Sequence, residues 1–383
     1  MIKNKKIILL ILSIIFLGAI LIPKTEIISY ASFDASAAKS AILIEKNSGK
    51  VLTEHNSHAR LPIASVTKLM TVLLTLEKVD SKQLSLEDKV TVSSNASGMG
   101  GSQIFLDANC EYVLGDLLKS VIVASANDSS VAIAEHIAGS ENNFVKLMNE
   151  KAKELNMNDT NYVNCTGLPS AEGYSCAYDQ AIVLSKVLNF DAYHNYSSIW
   201  NEEFVHPSGR TTQMTNTNKL SRFYEGCIGG KTGSTNQAKF CLAVGAKRGD
   251  TELISVVLGA DDSKTRFKLA SDLLNYGFEN FVSKTIFCGE DLQDKTIQIK
   301  GLNKQINLKA EREFTYICGK NENVNYNVNY NLPTMLRKVN ENEVVGNVEI
   351  VIDGVVVDII NILSTETVNE ASIWDYFKDI VNS

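Results

Sequence analysis

The chain opens with three kinds of segment in a fixed order. Lys3, Lys5 and Lys6 precede an apolar run at residues 7–22, and the small-residue stretch ISYASFDASAA follows. That order is the pattern of a secretory signal peptide, with cleavage expected after Ala31. An uncleaved anchor is the rival reading, although the run is slightly short for a full span. Either reading places the mature chain outside the cytoplasmic membrane. Beyond this point the apolar period changes repeatedly. SAILIEKNSGKVLTEH predicts a β-hairpin, with Ala41 to Ile44 apolar, a turn at Asn47, Ser48 and Gly49, and a second strand from Val51 and Leu52. LPIASVTKLMTV, residues 61–72, runs on as a helix. Residues 112–138 predict two buried helices interrupted near residues 125–128. Residues 142–156 show a helical period, with Phe144, Met148 and Leu155 on one side. Residues 239–247 and 251–260 read as strands, and FKLASDLLNYGFENF as a helix ending near residue 281.

Helices enclosed between an early hairpin and late strands predict an α+β domain, residues 36–283, with a mainly antiparallel sheet. From residue 284 to 364 the segments are short and alternating, which predicts a small all-β domain. The end, residues 365–383, predicts an amphipathic helix with Ile373, Trp374, Phe377, Ile380 and Val381 on one face. Its polar face carries Glu370, Asp375 and Asp379 against Lys378, so attraction to anionic lipid is weak. Peripheral membrane contact and docking on protein both remain open for it.

Composition narrows the function. The 383 residues suit two domains, and the net charge of −7 argues against a nucleic-acid binder. No Gly-rich phosphate loop, metal cluster or organic cofactor motif is readable, so no cofactor is expected. Seven cysteines include no CxxC pair. Cys227 and Cys241 are placed for adjacent strands, but buried free thiols are the commoner fate.

The segment at residues 61–72 raises a chemical question. Lys68 lies where Ile63, Leu69, Met70 and Val72 call for burial. Ser65 either caps the helix while Lys68 reaches solvent, or Lys68 is held by Ser65 to take its proton. Positions three apart share a helix face, and the first turn offers the positive end of the dipole to a developing alkoxide. A hydroxyl nucleophile usually borrows histidine as its base, but no GxSxG elbow accompanies the five histidines. Lysine substitutes when burial or a second cation lowers its pKa. Two further motifs supply that setting. Ser125, Ala126 and Asn127 form S-x-N, and Lys231, Thr232 and Gly233 form K-T-G. Ser125 is suited to relay a proton, Asn127 to hold Lys68, and Lys231 to meet a substrate carboxylate. The glycines around Lys231 let a peptide lie along this strand. Backbone N–H groups of Ser65 and Ser234 are placed for an oxyanion hole.

S-x-x-K, S-x-N and K-T-G in this order resemble the set of class A β-lactamases and penicillin-binding proteins. From about residue 36 onward the chain is similar to the low-molecular-mass penicillin-binding proteins, the serine-type D-alanyl-D-alanine carboxypeptidases. SAILIEKNSGKVL, LPIASVTKLMTV, SANDSSVAIAEHIAG, NCTGLP with YSCAYD, and GCIGGKTGSTNQAKFCLAV carry the resemblance. It implies a β-lactamase/transpeptidase-like fold, Ser65 as acyl nucleophile, Lys68 as base, and Ser125 with Asn127 as the second motif. It implies Lys231, Thr232, Gly233 and Ser234 along the substrate strand, with Arg266 near the terminal carboxylate. The implied partners are peptidoglycan stem peptides ending in D-Ala-D-Ala, with β-lactams as covalent inhibitors. A class A-like β-lactamase and a catalytically idle wall-binding protein are the alternatives. NCTGL stands where the family more usually has Asn-Pro-His-Gly-Leu, so the loop near Asn164 is expected to differ in shape.

Overall fold

A computed structural model describes residues 33–302 and 304–375. The expected leader and the end of the C-terminal segment lie outside the described residues.

Strand Ser40–Glu45 is buried at every position because it lies inside a sheet with both faces covered. The sheet has five strands. Their order is Val51–His55, Ser40–Glu45, Thr251–Ala260, Lys239–Arg248, Cys227–Thr235, all antiparallel. The early hairpin and the late strands therefore close one sheet. Helix Ser263–Asn280 packs on it, beginning at Ser263 rather than Phe267 because Asp262 Oδ1 accepts from Thr265 N at 2.8 Å.

Helix Lys68–Asp80 is the centre of the helical layer. Every residue from Lys68 to Leu76 is buried, as expected of a helix enclosed on all sides. Around it stand helices Leu114–Val123, Asn127–Ala138, Glu141–Glu154 and Ala177–Val187. The expected break falls between the first two of these, where Ser125 adopts a left-handed φ of 62°.

Helix Ser263–Asn280 passes directly into strand Phe281–Phe287, which pairs with Phe314–Gly319. A six-stranded sheet follows, with its own core of Ile297, Ile306, Val348, Ile350, Ile360 and Ile362. Lys50 Nζ donates to Ile317 O at 3.2 Å, and Ser283 N to Thr251 Oγ1 at 2.8 Å, so this β region is tied to the first sheet. Cys227 and Cys241 do lie on adjacent strands, but Cys227 faces Ala246 and Cys241 faces Gly233, and both thiols are free. Among the described residues no helix is long and apolar enough to cross a membrane. At the end of the description Ile373 and Trp374 are largely exposed.

Candidate active site

The Ser65 turn is tighter than the sequence suggests. Ala64–Thr67 is a 3-10 turn, entered through Ala64 at a φ of 48°, and the α-helix begins only at Lys68. Side chains three apart eclipse in a 3-10 turn, which brings Ser65 and Lys68 together more directly than an α-turn does. Ser65 makes no capping bond to the helix start. Lys68 is fully buried rather than extended to solvent. The capping reading of this pair is thereby excluded.

Lys68 Nζ donates to Ser65 Oγ at 3.0 Å, to Asn127 Oδ1 at 2.6 Å and to Thr166 O at 2.6 Å. The orientation of the Asn127 amide is fixed independently, since its Nδ2 donates to Gly100 O at 2.6 Å. Burial pushes the Lys68 amine down to about 7. Across the cleft, Lys231 Nζ donates to Ser125 Oγ at 2.7 Å and to Thr232 O at 3.1 Å. Lys231 is held well below the usual lysine range, first by burial and then by the charges of Lys68 and Arg266. The sequence named both burial and a second cation as causes able to lower the lysine of this motif. Burial is the cause that lowers Lys68, and Lys68 is one of the charges that lower Lys231.

The three motifs thus converge on one site, from residues as far apart as Ser125 and Lys231. A family model described as D-alanyl-D-alanine carboxypeptidase matches residues 28–262. The chain belongs to that family. A second model, described as the C-terminal domain of penicillin-binding protein 5, matches residues 283–370. The D-alanyl-D-alanine carboxypeptidase DacF of Bacillus subtilis is 40% identical over 291 residues, covering 76% of this chain and 75% of its own. The carboxypeptidase DacC of Escherichia coli is 31% identical over 353 residues, covering 88% of this chain and 87% of its own. The crystal structures of penicillin-binding protein 5 from Haemophilus influenzae superpose with a TM-score of 0.70 at 27% identity, over 89% of this chain and 100% of that one. The enzyme is accordingly a serine-type D-alanyl-D-alanine carboxypeptidase, with the fold of the penicillin-binding proteins.

In this carboxypeptidase a second group of residues, most of them absent from the motif reading, holds the first in place. Gly167 lies against the Ser65 turn, with a φ of 78°; an added Cβ would sit 1.9 Å from Ala64 O. The NCTGL loop therefore packs backbone on backbone, and this delivers the Thr166 carbonyl to Lys68. Asn164 Oδ1 shapes the loop by accepting from the N–H groups of Thr166 and Gly167 at 3.2 and 2.6 Å. Gly233 makes a similar approach from the other side, where a Cβ would meet Ile63 O at 2.4 Å. Asp128 is buried beside Asn127, and its carboxylate accepts from the N–H groups of Ile104, Leu106 and Ser129. With Asn127 N donating to Ser102 O at 2.7 Å, the helix start clamps the segment that carries Gly100. Tyr193 Oη accepts from Gly230 N at 3.0 Å and donates to Gly230 O at 3.2 Å, fixing the entry of the Lys231 strand. Gly233 was legible in K-T-G, Asn164 and Gly167 in NCTGL, and Asp128 beside Asn127; Tyr193 left no trace in the sequence.

Arg266 is buried and donates to Gly233 O at 3.0 Å and Cys241 O at 3.2 Å. Through these two carbonyls it braces the Lys231 strand against its neighbour. Thr232 and Gly233 are buried in that strand and Ser234 is exposed on it. His58, His194 and His206 bond elsewhere, to Asp159, to the carbonyls of Ile228 and Leu188, and to Tyr112.

Proposed function

We propose that this carboxypeptidase is exported and removes the terminal D-alanine from peptidoglycan stem peptides through an acyl intermediate on Ser65. The observation that carries the reading is the set of partners of Lys68. A neutral amine has two N–H bonds and one lone pair. Thr166 O and Asn127 Oδ1 only accept, and each lies 2.6 Å from Nζ, so together they take both N–H bonds. The lone pair is left for the Ser65 hydroxyl at 3.0 Å.

Lys68 takes the hydroxyl proton as Ser65 Oγ attacks the carbonyl between the two D-alanines. The new C–O bond forms a tetrahedral oxyanion, received by the N–H groups of Ser65 and Ser234. The C–N bond then breaks: Ser125, bonded to Lys231, gives its hydroxyl proton to the departing amine, and the proton held by Lys68 replaces it, which leaves Lys68 neutral again. Water attacks the ester as Lys68 takes its proton, the bond from the carbonyl carbon to Ser65 Oγ breaks, Lys68 returns the proton to Oγ, and the shortened peptide leaves as its acid. Lys231, Thr232, Gly233 and Ser234 form the strand along which the peptide lies, and the positive charge of Arg266 draws the terminal carboxylate. A β-lactam acylates Ser65 by the same route, with its leaving group still tethered.

Residues 1–31 act as the export signal, so the site works at the outer face of the cytoplasmic membrane or in the wall. The exposed pair Ile373 and Trp374 supports an apolar contact by segment 365–383. The test is release of free D-alanine from a pentapeptide ending in D-Ala-D-Ala. Ser65→Ala is expected to abolish both release and covalent labelling by fluorescent penicillin; labelling that persisted would remove Ser65 from its role.

A further inference from the structure

Away from the cleft, the structure brings three different donor types together. We infer that His58, Asp159 and Cys176 form a site for a borderline-soft divalent cation, with Zn²⁺ the best chemical match. Their ligating atoms lie within 4.8 Å of one another. The three residues come from separate parts of the chain. His58 follows the early hairpin, Asp159 follows helix Glu141–Glu154, and Cys176 is the N-cap of helix Ala177–Val187. Two backbone bonds, Leu61 N to Ser175 O at 2.8 Å and Ser175 N to Leu61 O at 3.0 Å, lock the first and last of these segments together. The spacing of the donors is therefore set by the frame of the protein.

The carboxylate of Asp159 is divided between two tasks. Oδ1 accepts from Arg60 Nε at 3.1 Å, while Oδ2 faces His58 Nδ1 at 3.2 Å. A cation entering between Oδ2 and Nδ1 leaves the Arg60 bond intact. The Cys176 sulfur closes the inner side, buried and crowded by the carboxylates of Asp179 and Asp159. Sulfur, nitrogen and oxygen together suit Zn²⁺, with bond lengths of about 2.0–2.3 Å. The ring of His58 has to swing inward to reach them. Its side chain is 60% exposed, which permits the movement and leaves an open side for entry and for a water ligand. Binding replaces the thiol proton and any proton shared by His58 and Asp159; both go to solvent, and nothing is oxidised or reduced.

An ion here ties the segment that leads into the Ser65 turn to the segment that follows the Thr166 loop. Its effect is on the rigidity of the frame, outside the chemistry of the cleft. Co²⁺ titration of the full chain tests it. The wild type is expected to develop a near-ultraviolet sulfur-to-cobalt absorption band that Zn²⁺ displaces. Cys176→Ser should lose the band, and His58→Ala should weaken Zn²⁺ binding at least tenfold. His58 is exposed, so its variant tests the site even if Cys176→Ser folds poorly; the far-ultraviolet circular dichroism of each variant reports folding. Zn²⁺ should also raise the unfolding temperature of the wild type, and not that of His58→Ala. A band retained in folded Cys176→Ser, or unchanged Zn²⁺ affinity in His58→Ala, overturns the assignment.

Discussion

Asn127 receives the Lys68 amine on Oδ1 at 2.6 Å and gives its own Nδ2 to Gly100 O at the same distance. The amide can satisfy both partners in one orientation only. Replacing it with a carboxylate reverses part of that logic. In Asn127→Asp an anion faces the Lys68 amine, favours the ammonium and removes the donor to Gly100. Acylation by a β-lactam at neutral pH is expected to fall about 100-fold, with partial recovery at alkaline pH. A rate equal to the wild type's at pH 7 would show that Asn127 does not govern Lys68.

The pH dependence follows from Lys68 itself. Burial sets its pKa at about 7. The neutral amine is the reactive form, so the acylation rate should rise with pH through about 7 and then level off. Below that pH the lone pair is occupied by a proton. Lys68→Arg stays charged at all accessible pH values and should be slow throughout, with no rise in this window. Stopped-flow labelling across a pH series decides.

Asp128 is expected to act through Lys68 and through the Gly100 segment. Its charge is among the causes that raise the Lys68 pKa against the effect of burial. Asp128→Asn removes that charge and turns an NH₂ group toward backbone N–H donors. The rising limb of the pH–rate profile should move to lower pH, and stability should drop by about 2 kcal/mol. A stability loss without movement of the limb would leave Asp128 a purely structural role.

Strain at Ser125 gives a comparison that separates backbone from side chain. Ser125 has a φ of 62°, which glycine tolerates and alanine does not. Ser125→Ala and Ser125→Gly both remove the side-chain acceptor of Lys231, leaving it only Thr232 O, and D-alanine release should fall about 100-fold or more in each. The glycine variant should nevertheless be the more stable by about 1 kcal/mol. Equal denaturation midpoints would refute the strain.

Gly167 offers the sharpest structural test. Alanine there would place its Cβ 1.9 Å from Ala64 O, a backbone atom with no flexible end to yield. Gly167→Ala should cost about 3 kcal/mol or more and slow acylation at least tenfold. Gly209 also has a left-handed φ, of 82°, but nothing lies within 4 Å of its built Cβ. Gly209→Ala should cost only about 1 kcal/mol, and its acylation rate should be normal.

Much of this protein was legible in its residue order. Alternation around Asn47–Gly49 marked the hairpin, and the apolar periods of residues 112–138 marked two helices with a break. A spacing of three placed Ser65 beside Lys68, because one turn of helix fixes which side chains are neighbours. Those are local consequences of backbone geometry. The sequence did not show that Ser65 lies in a 3-10 turn, since that turn is packed with Ala64 against Gly167 and Ile63 against Gly233. It did not show that Thr166 O completes the lysine's partners, because that carbonyl is 98 residues away. Of the two causes it named for a lowered Lys68 pKa, burial and a second cation, it did not show that burial is the one that acts. Loss of water around an amine belongs to the assembled core, where helix, loop and sheet close on it together; no residue order expresses that until the chain has folded.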